Sequence, residues 1–186
     1  MSIANWIVYT WLPLYLYERF GMSLAAAGFA GTFYIQAGSV AGVLLGGRLA
    51  DSWVRRNSSG RLLTQAAGLS AAAPFLFLAG STSSVAILIA ALLLFGIGRG
   101  AYDCNTMPVL SQIARPELRA TGYGLFNCLG CIAGGVMAAL AGALKSALGL
   151  GAAFQLAAAI LFISALVLMR LRLDALPAGQ AREVEA

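Results

Sequence analysis

The sequence contains no histidine and few charged residues. Only 10% of its 186 residues are charged, whereas 60% are apolar. Without histidine, neither a histidine-based catalytic triad nor a histidine-ligated metal site can form, and the commonest general acid–base group is missing. The sequence shows no other nucleophile–base pair and no metal-ligand cluster. We therefore predict that the chain is not an enzyme, holds no metal and needs no cofactor.

Cysteine is also scarce. The three cysteines, Cys104, Cys128 and Cys131, are too few for the disulfide framework of a small secreted domain. Cys128 and Cys131 have C-x-x-C spacing, but they lie inside an uncharged run of 25 residues. A redox site needs an exposed thiolate, so this setting favours two small residues of a helix in lipid.

Four uncharged runs are long enough to cross a bilayer. They comprise residues 20–47, 62–98, 120–144 and 146–169. Because a helix rises about 1.5 Å per residue, roughly 20 residues span the hydrocarbon core of a membrane. A soluble protein would need far more chain to bury these runs. The sequence therefore predicts an integral membrane protein.

Turn signals and charges divide the chain into six apolar helices. The predicted fold is all-α, a polytopic six-helix transmembrane bundle over residues 1–173. Its spans are predicted at about 3–18, 22–49, 61–80, 84–112, 119–144 and 149–169. Residues 174–186 are predicted to form a short polar cytoplasmic tail.

The basic residues are unequally shared between the two ends of these spans. One end receives Arg48, Arg55, Arg56, Arg61, Arg115, Arg119, Arg170, Arg172 and Arg182, and the other receives only Arg19 and Lys145. The positive-inside rule then predicts a multi-pass protein of the cell (plasma or inner) membrane with both termini in the cytoplasm. The net charge of +5 thus reflects membrane orientation, and no nucleic-acid partner is expected.

Small residues recur every four positions in the second and fifth spans. The second span has Gly38, Gly42 and Gly46, and the fifth has Gly130, Gly134 and Gly142. Small residues at this spacing let helices approach closely within a membrane. We predict that both stripes face a second six-helix unit; packing within the same bundle is the alternative.

The fourth span carries two opposite charges. Arg99 lies near its middle and Asp103 follows four residues later, so both lie on one helical face and can pair. Tyr102 and Asn105 add polar groups nearby. Charges at this depth are costly in lipid and should face protein or water. They either close the bundle as a structural ion pair or line a solute pathway, and we predict the pathway.

Other polar residues are candidates for the same pathway. Asn5, Tyr9 and Trp11 lie in the first span, and Gln36 lies midway along the second. Tyr15 and Tyr17 fit an interfacial aromatic belt better. Single amides such as Gln36 also often join neighbouring membrane helices, which is the alternative at that position.

One loop resembles a known signature. Residues 47–56 read GRLADSWVRR, which is similar to the G-x-L-A-D-R-x-G-R-R loop of the major facilitator superfamily of secondary transporters. Gly47, Asp51, Arg55 and Arg56 are among the matching positions, whereas Ser52 and Val54 depart from the pattern. The resemblance implies that Asp51 and the arginine pair form a charge cluster that grips the cytoplasmic helix ends. An ordinary positively charged loop is the alternative.

The resemblance implies alternating-access transport of a small solute by a twelve-helix carrier, of which this chain would be half. The short polar tail, the segment Trp11–Leu16 and the segment Arg115–Gly122 resemble the C-terminal half. In this family the second and fifth helices of each half meet the other half, which would be the partner beside the lipid bilayer. The stretch Asp103–Pro108 resembles the anion:cation symporter branch, so we expect an organic anion or sugar-type solute. Drug efflux and neutral sugar uptake stay open, as does coupling to protons or another ion. A non-transporting fragment and a homodimer of six-helix units are the alternatives.

Overall fold

A computed structural model describes residues 1–171, apart from the side chains of residues 144 and 146. Within this part of the chain the regular structure is entirely helical, which confirms the predicted all-α fold. The predicted tail, together with Arg172 and Arg182, lies outside the described residues.

Five α-helices and one short 3₁₀ turn make up the fold. The helices are α1 (Ser2–Phe20), α2 (Leu24–Val54), α3 (Gly60–Ser81), α4 (Val85–Ile113) and α5 (Arg119–Arg170), and the turn at Pro116–Leu118 precedes α5. Gly21 ends α1 in the left-handed conformation, with φ 64° and ψ 22°. Ser23 then caps α2 by accepting a hydrogen bond from the backbone N–H of Ala26. The predicted break after the first span therefore rests on a glycine followed by a capping serine.

Helix α5 contains both of the last two predicted spans. Its backbone is interrupted at Gly149, where φ is 76° and ψ is 162°. Only glycine adopts this conformation readily, so the chain kinks there without a loop. We call residues 119–148 the first segment of α5 and residues 150–170 the second. When α1 to α4 and the two segments of α5 are counted separately, the described chain contains six helical rods.

Five stretches are long and apolar enough to cross a membrane. They are Leu24–Val54, Gly60–Ser81, Val85–Ile113, Pro116–Ala143 and Ala147–Arg170. Helix α1 is not among them, and its sequence is richer in tyrosine, tryptophan and polar residues. It is nevertheless held within the bundle, because Leu12 and Leu16 are almost fully buried. The structure thus agrees with a polytopic membrane protein.

The glycines of α2 pack against α4 of the same chain, which corrects the predicted interface with a second unit. A Cβ atom added at Gly38, Gly42 or Gly46 would collide with the α4 backbone at Leu93, Ile97 and Ala101. Gly96 and Gly100 of α4 approach the α2 backbone in return. The two backbones can come this close only because small residues face each other at both helices.

The glycines of the first segment of α5 are also used inside the bundle. Added Cβ atoms at Gly130, Gly134 and Gly142 would meet the α1 side chains Ser2, Trp6 and Trp11, respectively. Gly134 and Gly142 therefore make room for two tryptophan rings, and Gly130 makes room for the Ser2 side chain. The prediction that they face another unit is wrong for the same reason as in α2: the spacing marks close packing but does not say against which helix.

Large apolar side chains remain exposed along α2 and the first segment of α5. Phe33, Val40 and Leu44 on α2 and Leu129 and Ile132 on α5 are each at least half exposed. Soluble proteins seldom expose contiguous apolar surface of this kind. The faces are suited to lipid or to another apolar helix bundle.

Candidate functional site

Arg99 lies in the middle of α4 and contacts two other helices. Its Nη1 atom donates hydrogen bonds to the Tyr9 hydroxyl on α1 at 2.6 Å and to Gln36 Oε1 on α2 at 3.2 Å. The same atom also contacts Ser39 Oγ at 3.4 Å. The guanidinium is 5.3 Å from the centroid of the Tyr9 ring, a cation–π distance. Three helices therefore hold one positive charge at the centre of the bundle.

The glycine packing of α2 and α4 explains why Ser39 and Gln36 reach this arginine. Gly38 brings the α2 backbone against α4, and the adjacent Ser39 is buried in the same contact. Ser39 donates a hydrogen bond to the carbonyl oxygen of Gly96 at 3.2 Å. The hydroxyl is thus oriented by the α4 backbone one turn before Arg99.

Asp103 faces Arg99 along α4, as the four-residue spacing predicts. The distance from Arg99 Nε to Asp103 Oδ2 is 3.2 Å. This contact is an ion pair without hydrogen-bond geometry, since Nε has no hydrogen-bond partner. The side chain of Asp103 is 40% exposed, whereas that of Arg99 is 16% exposed. The carboxylate therefore lies at the open edge of the site and the guanidinium lies deeper.

The arrangement leaves the guanidinium incompletely bound. Among residues 1–171, Arg99 uses Nη1 for its hydrogen bonds and faces Asp103 with Nε, and its Nη2 atom makes no hydrogen bond. Guanidinium groups bind carboxylates best through two parallel N–H donors. An incoming carboxylate can bind Nη2 directly, and a two-point contact requires Asp103 to move aside.

Asn5 brings a further polar group to α1, one turn before Tyr9. The residue is half-buried, and its Oδ1 atom is buried with no hydrogen-bond partner in the described chain. A buried acceptor without a partner is costly. Its position on α1 is consistent with the predicted pathway, although it makes no hydrogen bond to Arg99 within residues 1–171.

Three other predicted pathway residues are engaged elsewhere. The Trp11 indole donates a 2.8 Å hydrogen bond to the Ala138 carbonyl oxygen on α5, so it joins two helices. Asn105 is fully buried and bonds the Ala101 carbonyl oxygen in its own helix. The Tyr102 side chain packs against the hydrophobic core. For these residues the structure shows packing or helix–helix contacts, and their role in a solute pathway stays a prediction.

The signature residues form a different cluster from the predicted one. Asp51 is helical, in the last turns of α2, and accepts a 3.1 Å hydrogen bond from Arg61 on α3. Arg61 also donates to Asn105 Oδ1 on α4 at 3.4 Å. Arg55 and Arg56 are exposed and make no ion pair within residues 1–171. Asp51 therefore connects α2 to α3 through Arg61, and Arg55 and Arg56 do not take part in this contact. Gly47 is open, with no atom within 4 Å of an added Cβ.

Sequence reasoning missed four polar residues that the structure brings into use. Ser39 and Arg61 are two of them, and the others are Gln65 and Thr106, which are hydrogen-bonded to each other at 3.1 Å across α3 and α4. In the sequence, Arg61 is one of several basic residues near a loop, and Ser39 lies between Gly38 and Gly42 in a stretch of small residues. Nothing in their spacing identifies their partners, since these lie on other helices.

Comparisons with known proteins agree with the resemblance in the loop. The family sequence model of the Major Facilitator Superfamily matches residues 1–186. The probable galactarate/D-glucarate transporter GarP of Escherichia coli is 28% identical over 189 residues, which cover 100% of this chain and 40% of GarP. The probable galactarate/D-glucarate transporters GudP of Escherichia coli and Bacillus subtilis are 30% and 31% identical over 72% of this chain. The matched region makes up 40% of GarP, 30% of the Escherichia coli GudP and 29% of the Bacillus subtilis GudP. The chain therefore spans less than half the length of each of these relatives.

Proposed function

Since the chain belongs to the Major Facilitator Superfamily, whose members transport solutes, we propose that it is the C-terminal half of a secondary carrier for a small polyhydroxy carboxylate. One observation carries the proposal. The Arg99 guanidinium is held at the centre of the bundle by Tyr9 and Gln36, and one of its donors remains open. A fixed positive charge with a free donor is suited to an anionic solute.

The polar groups around Arg99 support a sugar acid over a simple carboxylate. The guanidinium binds the carboxylate, and the exposed Asp103 carboxylate can accept hydrogen bonds from hydroxyl groups. Gln36 accepts from Arg99 through Oε1, and its amide nitrogen is free to donate within residues 1–171. Three relatives are named as probable galactarate/D-glucarate transporters, and such diacids carry both kinds of group.

Among residues 1–171, Asp103 is the group best placed to couple transport to a proton. In the unliganded site it neutralises Arg99. When a substrate carboxylate takes over the guanidinium, Asp103 loses its positive partner and becomes an isolated carboxylate within the membrane. An unpaired charge is expensive there, so uptake of one proton by Asp103 lowers the cost of substrate binding.

Alternating access requires a second bundle to rock against this one. The glycine stripes of α2 and α5 are used inside this bundle, so the partner must pack elsewhere. Another row of small residues runs along the first segment of α5, namely the exposed Gly124, Cys128 and Cys131 and the half-buried Gly135. An added Cβ at Gly124 or Gly135 would have no atom within 4 Å. We propose that the N-terminal half packs on this row and on the exposed face of α2, with the arginine-rich helix ends in the cytoplasm.

Transport assays on the complete native protein that contains these residues test the proposal. Purified protein is reconstituted in proteoliposomes, and uptake of radiolabelled D-glucarate is measured against a neutral hexose. We expect uptake of the diacid only, its loss in Arg99→Ala, and partial retention in Arg99→Lys, which keeps the charge but loses the planar fork. Arg115→Ala removes an exposed arginine outside the site and serves as the matched control.

Two results would contradict the assignment. If Arg99→Ala took up D-glucarate as well as the Arg115→Ala control, Arg99 would not bind the solute. If the neutral hexose were transported and the diacid were not, the substrate class would be wrong. Amounts of inserted protein are compared by immunoblotting, so that poor expression is not read as lost transport.

A further inference from the structure

A groove lies at the arginine-rich end of the bundle, away from Arg99. It has a volume of about 410 Å³ and lies between the end of α2, the start of α3 and the end of α5. Its lining is Trp53, Arg56, Asn57, Leu63, Ala67 and Met169. None of these residues contacts Arg99 or Asp103, so the groove is separate from the proposed solute site.

The lining changes from polar to apolar along the groove. Arg56 and Asn57 lie in the short connection between α2 and α3, and both are exposed. Leu63 and Ala67 follow one turn apart on α3, and Met169 faces them from the last turn of α5. A ligand that fits this lining has a polar head near Arg56 and an apolar body along α3.

The charge at the polar end selects the head group. Arg56 makes no ion pair within residues 1–171, and Asp51, the nearest acidic residue in the sequence, is engaged by Arg61. Trp53 beside it is half-buried, a setting in which an indole has one side in an apolar layer and the other at a wet interface. Basic pockets at helix ends of this kind favour anionic lipid head groups.

We propose that this groove binds one anionic phospholipid from the membrane leaflet at the arginine-rich end. The phosphate is bound by Arg56, the head group lies beside Trp53, and the first part of an acyl chain covers Leu63, Ala67 and Met169. The lipid would connect the α2–α3 loop to the end of α5, two parts of the chain that are distant in sequence.

Native mass spectrometry of the complete protein in detergent tests this site. Phosphatidylglycerol is the probe, and phosphatidylcholine is the neutral comparison. We expect one phosphatidylglycerol per protein to be retained in preference to phosphatidylcholine. Arg56→Ala should weaken retention about fivefold, the size expected for one arginine near a membrane surface. Arg115→Ala, an equal loss of charge outside the groove, should weaken it less than twofold.

A second variant tests the apolar part. Ala67→Leu adds apolar volume to the lining of the groove without changing its charge, and it should also reduce retention of phosphatidylglycerol. A monodisperse peak in gel filtration shows that the variant folds. Equal losses in Arg56→Ala and Arg115→Ala would overturn the site in favour of a general surface charge. Displacement of the lipid by millimolar inorganic phosphate would show that the groove takes a free anion, and it would overturn the lipid assignment. Unchanged retention in Ala67→Leu would place the acyl chain elsewhere and contradict the proposal.

Discussion

The Tyr9 hydroxyl accepts a 2.6 Å hydrogen bond from Arg99, whose guanidinium carbon is also 5.3 Å from the centre of the tyrosine ring. Tyr9 belongs to α1 and Arg99 to α4, so this pair connects two helices that share few other contacts. The hydroxyl orients the guanidinium and the ring covers it. Orientation and charge stabilisation can therefore be separated by substitution.

Removing the Tyr9 hydroxyl should weaken solute binding without destroying the site. Tyr9→Phe keeps the ring and its contact with the guanidinium but loses the acceptor. Hydrogen bonds to charged groups contribute about 1.5–3 kcal/mol, and Gln36 and Ser39 compensate for part of that loss. We expect a three- to tenfold higher KM for D-glucarate. Tyr17→Phe, at an exposed tyrosine of the same helix, is the control, and equal KM values in the two variants would contradict the role of Tyr9.

Neutralising Asp103 should separate coupling from binding. Asp103→Asn keeps the size of the side chain but can carry neither the charge nor the coupled proton. We expect exchange of labelled for unlabelled solute across the membrane to continue, and accumulation driven by a pH gradient to be lost. Both are measured in the same proteoliposomes. Accumulation at the wild-type level would show that the proton is carried by another group.

The sequence predicts helices and a central charge pair well because each of these depends on local spacing. Arg99 and Asp103 are four residues apart on one helix, so their contact follows from the helix itself. The partners of Asn105 and Trp11 cannot be found in this way. Asn105 lies two residues beyond Asp103 in the sequence, yet the turn of the helix points it into the bundle toward Arg61 on α3.

The glycine stripes show a second limit. Their spacing correctly indicates a close helix–helix approach, but any neighbouring helix satisfies the same pattern. Gly38, Gly42 and Gly46 pack against α4 because that helix has its own small residues, Gly96 and Gly100, at the level of the contact. Such a match between two helices distant in sequence becomes visible only when they are packed together.

The close packing of α2 on α4 predicts the effect of adding one methyl group. Gly42→Ala places a Cβ against the backbone carbonyl of Ile97, which cannot move as a side chain can. We expect a loss of about 1–3 kcal/mol in the free energy of unfolding, the usual cost of overpacking. Gly28→Ala on the same helix has open space around the added atom and should be neutral or slightly stabilising. Thermal unfolding in detergent compares them, and equal stability would argue against the close approach.

Arg61, and not the exposed arginine pair, should support the cluster around Asp51. Arg61→Ala leaves the buried Asn105 Oδ1 without its partner, which costs about 1–3 kcal/mol. Arg55→Ala, at an exposed position, should change stability by less than about 0.5 kcal/mol. A double-mutant cycle of Asp51→Ala with Arg61→Ala should give at most about 1 kcal/mol, because the Asp51 side chain is 64% exposed. Larger losses in Arg55→Ala than in Arg61→Ala would restore the cluster that the resemblance implies.

If the chain is the C-terminal half of a carrier, as proposed, the row of small residues on α5 is where the N-terminal half packs. Cys128→Trp puts a large ring in the middle of this row, at a position that faces no other helix of this bundle. If the N-terminal half covers the row, the ring should lower the thermal stability of the complete protein and abolish D-glucarate uptake. Leu156→Trp, at an exposed apolar position of the second segment of α5, should be tolerated because lipid adapts to the added ring.

The same position separates a partner half from a second copy of this chain. Oxidative crosslinking joins two Cys128 side chains only where two α5 helices meet across a twofold interface. With the N-terminal half on this face, we expect no covalent dimer, and Cys128→Ser should give the same gel pattern as the wild type. A covalent dimer that is lost in Cys128→Ser would instead establish that two six-helix units face each other. A Cys128 side chain that faced lipid would not be held next to the same residue of a second copy.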